Sequence, residues 1–149
     1  MSARAVLITG GAARIGAALA KGLATDGWAV AIHYNQSSAD AEALCAHIKS
    51  AGGRAVSVSA DLTVQTDIDR LIGRAADALG TPLTALINNA STFAPDSAAT
   101  FTHAGFDDHM DVNLRAPIKL AQSFAAQCDD DNPIITLRSK ALGELYRRA

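Results

Sequence analysis

In the stretch Ala5-Val6-Leu7-Ile8-Thr9-Gly10-Gly11-Ala12-Ala13-Arg14-Ile15-Gly16, four aliphatic residues run into a cluster of small ones, and a segment of helical period follows. The expected local structure is a buried strand, a tight turn and a helix. Small side chains at such a turn leave the free amides of the helix start facing outward, which makes a cradle for an anion. Gly10 allows the turn to be tight, and Gly16 allows the helix to press against the sheet. The strict G-x-G-x-x-G spacing fails, because Ala12 takes the middle place. Arg14 strengthens the case for a ligand. A cation in the first turn opposes the helix dipole by up to ~1 kcal/mol, and a phosphate in front of it removes the conflict. A ligand-free turn with a solvated arginine is the plainer alternative.

Outward from this turn, short aliphatic runs alternate with Ala-rich segments of helical period, the pattern of βαβ units around a parallel sheet. Strands are expected over residues 5–9, 28–34, 55–59, 85–88 and 133–137. Helices are expected over 14–26, from Ser37 or Ser38 to Gly52-Gly53, over 64–79, and from just after Gly105 to about 127. In the last of these Pro117 demands a kink, a break or a fresh first turn. With 149 residues, 49% hydrophobic and 19% charged, the chain has the means to bury a core without disulfide staples, and it is neither disordered nor of low complexity. No repeat or linker interrupts it, so residues 1–149 are expected to form one compact unit. A net charge of −2 with scattered basic residues gives no footprint for nucleic acid, RNA included, and points to a small-molecule ligand. Cys45 and Cys128 have no metal-type spacing around them and are expected to be reduced thiols. The first apolar run is too short for a signal core or a membrane span, so a cytoplasmic location is expected.

The 9–16 loop resembles the T-G-x-x-x-[GR]-x-G element of the short-chain dehydrogenase/reductase family, and the form with Arg14 resembles its pteridine reductase branch. Asp61-Leu62 after the third strand resembles the pair that this family sets against adenine. Asn88-Asn89-Ala90 resembles its N-N-A-G element, and Asp111-Val112-Asn113 resembles its mid-helix asparagine. Four motifs in order, over about residues 5–128, carry the resemblance. It implies an α/β, Rossmann-like doubly wound parallel sheet, here with five strands and a curtailed C-terminal half. It also implies cofactor contacts at Gly10, Arg14, Ile15 and Gly16, at His33, Tyr34, Asn35 and Ser37, at Asp61 and Leu62, and at Asn89, Ala90 and Ser91. For Asn113 it implies the family's water-holding role in a proton relay; a structural bond in a helix kink is the plainer alternative.

An NAD site wants a carboxylate at the end of the second strand. This chain has His33-Tyr34-Asn35-Gln36-Ser37-Ser38 there and no acid before Asp40. With Arg14, His33, Asn35, Ser37 and Ser38 as donors, NADP (NADPH) is the expected cofactor. Gln36 stands where similar reductases often carry a basic residue, which lowers the expected affinity for the 2′-phosphate. His33 fits a structural hydrogen bond at a strand end equally well. After the fourth strand, Asn89-Ala90-Ser91-Thr92-Phe93 again resembles pteridine reductases. Phe93 could stack a flat heterocycle against the cofactor, with Arg14 and Ser91 as polar contacts at its edge, or it could pack under the loop.

The family's general acid is a tyrosine with a lysine four residues on, and no Tyr-x-x-x-Lys occurs in the chain. The tyrosines are Tyr34 and Tyr146, and Lys140 has Thr136 four places before it. In one register of the tail, Ser139 resembles the catalytic serine after strand five; in the other, residues 136–142 resemble the surroundings of the catalytic lysine. Three accounts stay open: a shortened or rearranged gene product, a nucleotide-binding module without catalysis, and a reductase whose sequence lacks residues between 135 and 140 and after Ala149. The intact cofactor motifs favour the last. The expected activity is NADPH-dependent hydride transfer to a C=N or C=O group, with pterins and folates as candidate substrates. Homo-oligomers are expected if the full-length family fold is present.

Overall fold

The computed structural model describes residues 4–127 and 134–136. In chain order they form β1 (Ala5–Ile8), α1 (Arg14–Thr25), β2 (Ala29–Tyr34), α2 (Ser38–Ser50), β3 (Arg54–Ser59), α3 (Gln65–Leu79), β4 (Ala85–Asn88), α4 (His103–Met110), α5 (Ala116–Ala125) and β5 (Ile134–Thr136). All strand pairs are parallel, in the order β3-β2-β1-β4-β5. The alternation read from the sequence therefore builds a doubly wound sheet, with strand limits within a residue of those expected wherever both ends are described.

Burial follows the two-residue period of a strand. Ala5, Leu7, Ala29, Ala31 and Leu86 face a core shared with α3 and α5, whose Leu71, Ile72, Leu120 and Phe124 are almost wholly buried. Val6, Ile8, Val30, Ile32 and Ile87 face the opposite core, with Ala20 of α1 and Leu44, Cys45 and Ile48 of α2. Each large side chain so buried contributes about 1.5–3 kcal/mol of transfer free energy. Because β1 and β2 are covered on both faces, they read as continuous apolar runs. Cys45 is a free thiol, and burial pushes its pKa up. Cys128 lies outside the described residues. No helix among the described residues is long and apolar enough to cross a membrane.

The fourth helical segment differs from expectation at its start. α4 begins at His103, ahead of Gly105, because Thr102 caps it: its hydroxyl accepts the Gly105 amide proton at 3.1 Å. Between α4 and α5 the chain makes a wider, π-helical turn over Asp111–Arg115. Pro117, in the first turn of α5, has no N–H to offer the carbonyl four residues back, so the regular hydrogen-bond ladder cannot run through this point.

Candidate functional site

In a sheet of this order the direction in which successive strands are added reverses between β1 and β4, which leaves a crevice at the carboxyl ends of the strands. A cleft of about 1140 Å3 lies there. Its walls come from four successive strand ends: the 10–16 loop after β1, His33 and Asn35 at β2, Asp61 and Leu62 after β3, and the 89–93 segment after β4.

Thr9 and Asn89 knit the first of these segments to the last. The Thr9 hydroxyl accepts the amide protons of Asn89 and Ala90, both at 3.0 Å, and the Asn89 side-chain amide donates to the carbonyls of Thr9 at 2.9 Å and Gly10 at 3.0 Å. Gly10 has φ +60, and a Cβ on it would stand 2.9 Å from the Ala90 Cα. A Cβ on Gly16 would stand 2.3 Å from the Gly10 carbonyl oxygen. The small residues are thus demanded by backbone meeting backbone.

α1 starts beside this knot without help from any side chain. Its N-cap residue Ala13 makes no side-chain cap, and the first turn holds no acid. Its opening amides are therefore left for a ligand or water to satisfy. Arg14, exposed on the cleft wall, has φ +51 and is the only non-glycine residue with positive φ among the described residues. Glycine would adopt that angle freely, whereas arginine is strained there.

His33 lines the cleft but is only 2% exposed. Its Nδ1 accepts the Gly10 amide proton at 3.0 Å, so the neutral ring carries its proton on Nε2, which lies 3.0 Å from the Ala60 carbonyl oxygen. Both nitrogens are used inside the protein. The expected role of His33 as a phosphate donor is corrected accordingly: a neutral imidazole so engaged has no proton left for a ligand. Burial pulls its pKa below the ordinary 6.5, against smaller upward effects of the Ala60 carbonyl and Asp61. Since the unfolded chain takes up this proton near pH 6.5 and the folded chain does not, stability is full above that pH. It falls as pH drops from there toward the lowered folded value. Urea unfolding at pH 7.5 and pH 5 is expected to show this loss, and the His33→Asn chain to lose that part of the slope; equal slopes would refute it.

Asp61 follows β3. Its carboxylate accepts from the Thr63 amide and hydroxyl at 2.8 and 2.7 Å, and these bonds hold its pKa below the usual range, with help from Asn35 and His33. Leu62 beside it is buried. Of the remaining residues expected in a cofactor site, Ile15, Asn35, Asn89, Ala90 and Ser91 line the cleft. Tyr34 and Ser37 are not on its wall: Tyr34 packs against the α1–α2 core, and Ser37 is the exposed N-cap of α2. Ser139 lies outside the described residues, as do Lys140 and Tyr146.

Phe93 lines the cleft and is 59% exposed, so most of its ring is open to a ligand. Asn113 sits in the π-helical turn, behind the wall. Its side chain accepts the Thr92 amide proton at 2.9 Å and donates to the Thr92 carbonyl at 2.9 Å, so it braces the segment that carries Phe93. Sequence reasoning missed Thr63, Thr92, Asp108 and Val112 of the wall and His109 behind it. Asp108 and His109 lie within one helical turn before the Asp-Val-Asn motif and Val112 is its middle residue, which is the only signal that could have found them.

The sequence profile described as short chain dehydrogenase matches residues 4–144. An uncharacterized oxidoreductase of Methylorubrum extorquens is 30% identical over 139 residues, which are 93% of this chain and 56% of that protein. A short chain dehydrogenase from Burkholderia cenocepacia, crystallised in complex with NADP, superposes with a TM-score of 0.89 at 35% identity, over 97% of this chain and 58% of the other. The FolM alternative dihydrofolate reductase 1 from Brucella canis, complexed with NADP, gives 0.87 at 35% identity, over 95% and 57%. The chain thus spans little more than half the length of these relatives. The knotted loop after β1, the strand order and these matches lead to one assignment: the chain belongs to the short-chain dehydrogenase family.

Proposed function

We propose that the cleft binds NADP(H), and that the chain is the cofactor-binding part of an NADPH-dependent reductase that delivers hydride to a C=N or C=O carbon of a flat heterocycle, of pterin or folate type. The observation that carries this is the uncapped start of α1, with a strained, exposed Arg14 opening onto the cleft. Strained backbone at a cleft is stored where it serves binding. A cleft of about 1140 Å3 has room for an extended dinucleotide. The relatives crystallised with NADP, one of them the FolM alternative dihydrofolate reductase 1, support the same choice.

The residues fit the group. Amides at the start of α1 would take the pyrophosphate, and Asp61 and Leu62 would take the adenine. Arg14 and Asn35 would face the 2′-phosphate, with no acid at the end of β2 to repel it. The nicotinamide, when bound, supplies the hydride. Ser91 and Phe93 would orient the ring that receives it, with Asn113 bracing their segment from behind. The accompanying proton has no assigned donor here, because the sequence contains no Tyr-x-x-x-Lys. That fact favours a second reading, an NADP-binding module that does not turn over.

Dissociation constants for NADPH and NADH test the cofactor; tighter binding of NADH would overturn the choice of NADP. NADPH oxidation with dihydrobiopterin, dihydrofolate and simple ketones then separates the two readings, since binding without oxidation supports the second. Phe93→Ala is expected to weaken dihydropterin binding roughly threefold to tenfold, the worth of an aromatic stack, with NADPH binding nearly unchanged. Equal losses for both ligands would instead mark Phe93 as packing.

A further inference from the structure

We propose that His109 is a positioning residue, which fixes Phe93 at the rim of the cleft by holding the backbone of the residue that follows it. His109 lies in the last turn of α4. Its Nε2 accepts the Ala94 amide proton at 3.0 Å, and its Nδ1 lies 2.5 Å from the Gly105 carbonyl oxygen one turn earlier. An imidazole nitrogen that accepts an N–H carries no proton itself, so the neutral ring is the Nδ1–H tautomer and donates to Gly105. The ring is thereby oriented by its own helix, and its one free lone pair is aimed at Ala94.

The Phe93 ring stands edge-on to the same imidazole, with centroids 6.2 Å apart and planes at 82°. On the other side of Phe93, Asn113 takes both the amide and the carbonyl of Thr92. Residues 92 and 94 are therefore tethered to side chains four positions apart on one helical run, and Phe93 is clamped between them. An aromatic ring that is 59% exposed has no core to hold it in place. Without the tether, the segment would lose conformational freedom only on binding substrate, and affinity would fall by that ordering cost. With it, the stacking face is built before the ligand arrives. This rests on the reading of Phe93 as the substrate's stacking partner.

The test uses the whole chain as wild type, His109→Ala, His109→Gln and Phe93→Ala. Amide hydrogen exchange at Ala94 is read alongside the core amides of Val30 and Ile87, and binding of NADPH and then of dihydrobiopterin at saturating NADPH is titrated. His109→Ala is expected to speed exchange at Ala94 about tenfold with the core amides unchanged, as loss of one hydrogen bond implies. It should weaken dihydrobiopterin to the same degree as Phe93→Ala and leave NADPH affinity within about twofold, because none of the tethered groups belongs to the loop after β1. His109→Gln, whose carbonyl can accept the same amide proton, should restore both. Unchanged exchange at Ala94 in His109→Ala would overturn the inference, and so would wild-type dihydrobiopterin binding in that variant when Phe93→Ala loses it. A wild-type chain that holds NADPH but no dihydrobiopterin would defeat the substrate reading alone, with exchange at Ala94 still deciding whether His109 holds the segment.

Discussion

Gly16→Ala is expected to destabilise the chain by about 2–4 kcal/mol and to abolish measurable NADPH binding. The added Cβ would lie 2.3 Å from the Gly10 carbonyl oxygen, 2.7 Å from Asn89 Nδ2 and 2.8 Å from the Gly11 Cα. None of these can step aside cheaply. The Gly10 carbonyl is the acceptor of the Asn89 side chain, and Asn89 in turn is bound through its own amide to the Thr9 hydroxyl. Relief of the clash therefore breaks the bonds that join the loop to the end of β4 and moves the amides that would face the pyrophosphate. A loss of this size is a large share of the ~5–15 kcal/mol that holds a typical domain together. Gly22→Ala, on the same helix, is the matched control. Nothing lies within 4 Å of its Cβ position, so the better helix former should be neutral or stabilising by up to about 1 kcal/mol. Urea denaturation and NADPH fluorescence titration of both chains check the pair; Gly16→Ala with wild-type stability and affinity would refute the close packing claimed for the loop.

The second large effect has opposite signs in stability and binding. Arg14→Gly removes a non-glycine residue from φ +51, a conformation that costs an L side chain roughly 1–2 kcal/mol, and gives back part of the gain through the greater freedom of glycine in the unfolded chain. A net stabilisation of up to about 1 kcal/mol is expected. The same substitution deletes the guanidinium at the cleft, and the loss of charge-assisted hydrogen bonds to phosphate should raise the NADPH dissociation constant roughly tenfold to a hundredfold. Arg14→Lys separates the causes, since it keeps the strain and the charge and loses only the planar fork. A variant that is more stable and binds less well would place Arg14 among residues whose strain serves the ligand. Lower stability with unaltered affinity would refute that account.

The pattern of these effects follows how the site was legible. Gly10 and Gly16 announce a close approach because no other residue type fits one, so the loop and its place after a strand were readable from composition and spacing alone. The ordered motifs added Asp61, Asn89 and Asn113. What each of these side chains bonds to was not readable. Asn89 spends its amide on the carbonyls of Thr9 and Gly10, and Asn113 spends its own on Thr92. His33 and His109 are the sharpest cases. A lone histidine carries no local signal for its partners, and each of these two bonds a backbone amide, 23 and 15 residues away in sequence.

The start of α4 differed for a related reason: the helix was expected to begin just after Gly105, whereas the hydroxyl of Thr102 three residues earlier accepts the Gly105 amide proton and places it inside the first turn.

By itself, then, the sequence determined the alternation of buried strands and amphipathic helices, the parallel sheet that follows from it, and the anion-ready turn after β1, because these depend on periodicity and on side-chain size at single positions. Only the tertiary structure decided which polar groups face the cleft and which are consumed in building it. Hydrogen bonds between strand ends that are distant in sequence depend on which strands the sheet sets side by side, and no local pattern names those partners.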